Sequence, residues 1–233
     1  MCYNPPMAFT LFGIGVALSA YIKVFKPVLA RTHIVMILVF YSLMELLQGV
    51  QYYWVNECSS KVNKYLTEVA YAFVVIQPFL WNLFFYLNSD GCEKHIFKTA
   101  MVLSLLWVFF NVAARVTYKT PGIDDQTPQM SVFASDKVCT RKKATHLYWT
   151  WTSANFFDFT ATYLFHLMFW FVPALLTRKH RMSSIILMAS AVVSIMIGYA
   201  LGEPFTFTSA WCYVSIPVVI LVLINIMFQS NRW

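Results

Sequence analysis

The stretch Thr32–Val55, which reads THIVMILVFYSLMELLQGVQYYWV, decides the fold class of this chain. It is mostly apolar and longer than the roughly 20 residues that a helix needs to cross a bilayer. Its apolar residues do not alternate with polar ones, as the strands of a membrane barrel would require. We therefore predict a transmembrane helix that carries a glutamate, Glu45, in its middle.

Six further runs of the same kind lie on either side of this stretch. They are Met7–Val24, Tyr65–Leu87, Ile96–Thr117, Ala154–Leu176, Ser183–Leu201 and Phe205–Phe228. Seven spans occupy most of a chain of 233 residues, so no second domain fits. The sequence predicts an all-α polytopic membrane protein, a bundle of seven transmembrane helices that forms one domain over residues 1–233. The only long extramembrane loop is predicted at residues 118–153.

The composition excludes several classes of protein. Hydrophobic residues make up 59% of the chain and charged residues 12%, whereas an average soluble domain is about 25% charged. The net charge of +7 comes from residues that fall mostly between the apolar runs. These values argue against a soluble enzyme, a disordered chain and a nucleic-acid binder, and they make membrane lipids the expected surroundings.

The basic residues also predict an orientation. With the N-terminus outside, nine of the 17 basic residues fall inside and eight outside, and five of those eight belong to the long loop. Because the positive-inside rule weakens in long loops, the remaining count of nine against three favours an outside N-terminus. We expect the first run to be retained as an anchor, because Met1–Asn4 lacks the basic residue of a cleaved signal.

The five cysteines suggest one disulfide. Cys58 and Cys139 fall in outside loops of the predicted topology and form the best pair, with Cys2 as a competitor. Five free thiols are the alternative. The chain has no Cys-x-x-Cys pair and no histidine-rich cluster, so neither a structural metal site nor a cofactor is expected.

Polar residues inside the runs mark the candidate site. Glu45 and Gln48 share a helical stripe, and Asp158, Thr162 and His166 are spaced by four in the fifth run. Ionisable side chains at such depth are costly and point to function by default. Gln77 and Arg115 join the same set. Most of these side chains fall in the outer half, so we predict a polar pocket that opens outward.

Simpler explanations compete with this pocket. Polar side chains can join helix to helix without binding anything, and Arg115 could neutralise one acid in a static ion pair. Known seven-helix classes are excluded by their motifs: the last run has no lysine for a retinal Schiff base, and the signatures of G-protein-coupled receptors and intramembrane proteases are missing.

The segment Leu43-Met44-Glu45-Leu46-Leu47-Gln48, with the later Trp211-Cys212, resembles uncharacterised seven-span membrane proteins of large DNA viruses of algae and protists. The resemblance implies a multi-pass fold in a host or viral membrane and no assigned activity. It coincides with Glu45 and Gln48, which the physical argument had already selected.

Three function classes remain open. The first is a transporter, channel or receptor-like protein whose outer pocket binds or passes a small solute, a cation or a proton. The second is an intramembrane acid–base hydrolase that uses Glu45, Asp158 and His166. The third is a structural viral envelope protein. The absence of an evident nucleophile or metal favours the non-enzymatic class, and assembly into a homo-oligomer stays open.

Overall fold

The computed structural model describes residues 4–26, 33–117, 138–143, 146–150, 155–156, 159–160, 163–200 and 207–230. Within these residues the chain is mostly helical. The helices are α1 Pro5–Phe25, α2 Ile34–Gln51 with a 3-10 turn at Tyr52–Trp54, α3 Lys61–Leu87, α4 Gly91–Thr117, α5 Tyr163–Leu175, α6 Arg181–Ala200 and α7 Phe207–Ser230. Six of these helices match the predicted runs to within a few residues.

Two short antiparallel hairpins lie between α4 and α5. Strand β1 (Cys139–Lys143) pairs with β2 (His146–Thr150), and β3 (Asn155–Phe156) pairs with β4 (Phe159–Thr160). The prediction of a fifth helix from Ala154 is therefore wrong at its start, since α5 begins only at Tyr163. Apolar and aromatic residues suit a short strand as well as a helix, so hydropathy alone does not separate the two.

Five of the helices close a ring. Helix α2 packs against α3, α3 against α5, α5 against α6, α6 against α7, and α7 returns to α2. Helix α4 lies outside this ring on α3 and α5, and α1 lies outside it on α2. These contacts therefore form a closed ring of five helices.

The first hairpin and the start of α1 lie at the same end of the bundle. The ring of Phe9 on α1 lies next to Gly49 near the end of α2, and Asn56, just beyond α2, donates its backbone N–H to the Thr140 carbonyl of β1 at 3.0 Å. We call this end the outer end and the opposite end the inner end. The hairpin thus lies on the side predicted for the long loop.

Helices α1 and α2 pack closely through small residues. A Cβ atom at Gly15 would clash with the Ser42 hydroxyl, and one at Gly49 would lie 3.0 Å from the Phe9 ring. Ser19, one turn after Gly15 on the same helix, is also buried. Small residues at such spacing let helix backbones approach closely, as is common in membranes.

In the part of the chain that the structure describes, four helices are long and apolar enough to cross a membrane: Pro5–Phe25, Ile34–Trp54, Lys61–Leu87 and Gly91–Ala113. Three further helices are apolar over shorter described stretches, Phe165–Leu175, Arg181–Ser194 and Val214–Ile226. Large apolar side chains face outward, as at Leu106 (58% exposed) and Phe109 (62% exposed) on α4. Such a surface suits lipid rather than water.

Candidate functional site

A set of buried polar side chains lies on the helices of the ring, and we call it the polar interior. Its described members are Glu45 and Gln48 on α2, Gln77 on α3, His166 on α5 and Ser215 on α7. Each is at most 4% exposed. Four of these five were predicted from the sequence. Ser215 was not, because a serine in an apolar helix is ordinarily satisfied by its own backbone.

Glu45 joins α2 to α7. Its side chain is fully buried, and the Ser215 hydroxyl donates to its Oε1 at 3.3 Å. The two residues are 170 positions apart in the sequence, so only the closed ring brings them together. A carboxyl group in such a setting can bind a cation or exchange a proton, and it disfavours anions.

Gln48 lies one turn from Glu45 toward the outer end. It is fully buried, and neither its Oε1 nor its Nε2 has a hydrogen-bond partner among the described residues. An amide left unsatisfied in this way costs about 1–3 kcal/mol for each group. A buried amide with a free donor and a free acceptor is the expected lining of a site that takes water or a small polar ligand.

The next turn outward is closed by the hairpin. Gln51 donates from Nε2 to the Leu66 carbonyl and accepts from the Trp149 indole, both at 3.0 Å. Trp149 belongs to β2, so this strand lies over the outer end of α2. The hairpin therefore packs on the outer end of α2, one turn beyond Gln48.

Two contacts between α2 and α3 follow on the inner side. Gln77 donates to the Met44 sulfur at 3.5 Å, and the Trp81 indole donates to the Tyr41 hydroxyl at 2.9 Å. The sequence placed Gln77 in the pocket, and the structure places it beside the residue that precedes Glu45. Its partner is the weakly accepting thioether.

His166 stands apart from Glu45. It is 4% exposed on α5, its ring meets the Trp170 ring edge-on at 5.5 Å, and its Nδ1 has no partner among the described residues. No hydrogen bond or ion pair between described groups links it to Glu45. The remaining predicted site residues, Asp158 and Thr162, lie outside the described residues, as does the side chain of Arg115 on α4.

A second polar cluster, which we call the outer anchor, holds β1 on the helices. It contains the disulfide Cys58–Cys139 and the side chains of Asn63, Thr67 and Thr140. The bridge confirms the predicted pair, with Cα atoms 5.1 Å apart. Spacing by four marks Asn63 and Thr67 as one helix face, a signal that sequence analysis did not use.

Asn63 satisfies its whole side chain in the outer anchor. Nδ2 donates to the carbonyls of Trp54 at 2.6 Å and Thr140 at 3.0 Å. Oδ1 accepts from the Thr140 N–H at 2.9 Å and from the Thr67 hydroxyl at 3.3 Å. The Thr67 and Thr140 hydroxyls pair at 2.7 Å. The cluster is thus saturated, which is the usual condition of structural polar groups.

The inner end is closed by a junction between two turns. His180, in the turn between α5 and α6, pairs through Nε2 with the Ser89 hydroxyl at 2.9 Å and packs on the rings of Phe85 and Phe97. Burial lowers the pKa of His180 from 6.5 to about 4; neighbouring Lys179 also lowers it, and Glu93 opposes both. The histidine is therefore neutral at pH 7.

The comparison with protein families gives one match. The model of the family of unknown function DUF5765 covers residues 6–231. The chain belongs to this family. No curated protein and no solved structure matches it. The family carries no assigned activity, so the function has to be argued from the site.

Within the described part of the chain, no three His, Cys, Asp or Glu side chains lie close enough together to hold a metal ion. The chemistry available in the polar interior is that of a carboxyl group, an amide and hydroxyl or imidazole groups. These groups can bind a small polar species or move a proton.

Proposed function

We propose that this DUF5765 protein crosses the membrane seven times, with its N-terminus outside, and that its polar interior binds or passes a proton or a small cation at Glu45. The four long apolar helices support the membrane location. Helices α6 and α7, with 20 and 24 residues, are also long enough to cross a bilayer, and α5, with 13 residues, is the shortest of the proposed spans. The closed ring supports a common interior for α2, α3, α5, α6 and α7.

The observation that carries the proposal is Gln48. A fully buried amide without partners, one turn from a fully buried carboxyl group, is unfavourable unless a water molecule or a polar ligand forms hydrogen bonds with it. The carboxyl group of Glu45 determines which charge the bound ligand carries, because a buried acid favours a cation or a proton over an anion. Gln48 then supplies an acceptor and a donor at the same level of the bundle.

The test is flux through purified protein in lipid vesicles, followed by a pH-sensitive dye under a proton gradient and by a sodium-sensitive dye under a sodium gradient. We expect Glu45→Gln to reduce flux at least ten-fold, because the amide neither ionises nor attracts a cation. Glu57→Gln is the matched control, since it removes the same charge at an exposed position and should leave flux unchanged.

Two results would overturn the proposal. The first is a wild-type protein that passes neither protons nor sodium and binds neither in a titration of tryptophan fluorescence. The second is a Glu45→Gln variant with altered unfolding temperature but wild-type flux, because the carboxyl group would then serve only to join helices.

A further inference from the structure

Three buried polar atoms between α3, α4 and α5 have no hydrogen-bond partner among the described residues: Asn82 Oδ1, Trp107 Nε1 and His166 Nδ1. The amide oxygen accepts, the indole N–H donates, and the imidazole nitrogen does either according to its tautomer. Such a set is complementary to water, which both donates and accepts and ordinarily has two to four partners when buried.

Contacts around Phe169 place the Asn82 amide and the Trp107 ring beside the turn of α5 that follows His166. Asn82 donates to the Phe169 carbonyl at 2.8 Å and to the Ser104 hydroxyl at 3.2 Å. Trp107 lies one turn after Ser104 on α4, and its ring centroid is 6.0 Å from that of Phe169. His166 lies one turn before Phe169 on α5. Asn82 and Trp107 therefore contact the turn of α5 that begins at His166.

Pro173 explains why the Asn82 amide points this way. Proline has no N–H, so the Phe169 carbonyl four residues earlier lacks its partner within α5. Asn82 supplies the missing N–H, and the same amide nitrogen also donates to the Pro78 carbonyl at 2.8 Å. Turning the amide over would set its oxygen against two carbonyl oxygens. Asn82 Oδ1 is thus held away from these bonds and remains available as an acceptor.

We propose that Asn82, Trp107 and His166 bind an internal water molecule, and that this water extends the polar path from Glu45 toward the inner end. The second statement rests on the proposed function. An imidazole takes up a proton on one nitrogen and releases one from the other, so His166 passes a proton on without net change of charge. The path then carries protons inward rather than holding them at Glu45.

The water itself is tested by NMR on the full chain in lipid nanodiscs, with 15N in the tryptophan indoles. The Trp107→Phe variant identifies the Trp107 signal by its loss. We expect the Trp107 indole proton of the wild type to show a magnetisation-transfer peak to water. The Trp81 indole, bonded to the Tyr41 hydroxyl at 2.9 Å, is the internal control and should show none.

Two variants sharpen this test. Asn82→Leu replaces the acceptor by an apolar group of similar size, and the water peak at Trp107 should fall at least five-fold while the Trp81 signal stays. His166→Phe leaves the Asn82 bonds to α5 intact, so it provides the same comparison if Asn82→Leu fails to fold. A wild type without the water peak, or a peak that persists undiminished in both folded variants, would overturn the site.

The path is tested separately in the vesicle assay. His166→Phe should reduce proton flux at least ten-fold without abolishing cation or proton binding at Glu45. If His166→Phe has the flux of the wild type, the proposed path through His166 is wrong, and the proposed function is unaffected. If the wild-type protein shows the water peak but no flux, the proposed function is wrong and the water site is still supported.

Discussion

The outer anchor and the Gln48 region of the polar interior lie within two turns of each other along the bundle, yet their hydrogen bonding differs. Asn63 uses both ends of its amide in four hydrogen bonds. Gln48 has the same functional group, is equally buried and uses neither end within the described residues. An amide that makes all its hydrogen bonds within the protein stabilises the fold, whereas a buried amide without such bonds indicates a place for a ligand. This contrast distinguishes residues that hold the fold together from candidate functional residues, in a chain whose family has no assigned activity.

The disulfide should give the largest effect on stability. Cys58 and Cys139 are 81 positions apart, and closing a loop of that length stabilises a fold by up to about 4 kcal/mol. We expect the Cys58→Ser/Cys139→Ser variant to lose about 3 kcal/mol in free energy of unfolding, measured by denaturation in mild detergent. Cys92→Ser, at a cysteine that is free and exposed, is the control and should lose nothing measurable.

Asn63→Ala should come next, with a loss of about 2–3 kcal/mol. The change leaves the Trp54 carbonyl and the backbone N–H and C=O of Thr140 without these bonds in a buried place. Asn88→Ala removes a half-buried amide whose Nδ2 donates within its own helix to Phe84, and serves as the matched control with a loss below about 1 kcal/mol. Equal losses in the two variants would mean that the outer anchor does not hold β1 in place.

The extent to which sequence predicts this molecule differs between its parts. Runs of apolar residues predict the bounds of six helices to within a few residues, because the length needed to cross a bilayer is a strong constraint. The disulfide follows from the side on which each loop lies. The start of α5 was missed, because the apolar residues before Tyr163 carry no period that distinguishes strand from helix.

The candidate site is predictable only in part for a related reason. Burial of Glu45, Gln48, Gln77 and His166 follows from the cost of exposing them to lipid. Their partners do not follow, because Ser215 is 170 positions from Glu45 and Thr140 is 77 from Asn63. Pairings at such distances depend on which helices become neighbours, and hydropathy does not contain that information.

The inner junction should make stability depend on pH. His180 has its ordinary pKa of 6.5 in the unfolded chain and about 4 in the fold, so the unfolded state binds the proton more readily. Stability is therefore complete above pH 6.5 and falls as the pH drops from there toward 4. We expect a loss of about 2 kcal/mol between pH 7.5 and pH 5. His180→Phe, which keeps the ring packing, should remove most of this slope.

Gln48→Leu should give the smallest change in stability, and the change should have the opposite sign. In the saturated outer anchor every deletion costs hydrogen bonds, but at Gln48 the substitution removes two unsatisfied groups and replaces them by apolar contacts. We expect the free energy of unfolding to rise by about 1 kcal/mol in ligand-free buffer. Flux or binding at Glu45 should fall at the same time, because the lining amide is gone. Asn63→Leu is the matched control and should destabilise. A Gln48→Leu variant that is destabilised as strongly as Asn63→Leu would show that Gln48 is a structural amide after all, and the distinction between the two regions would no longer hold.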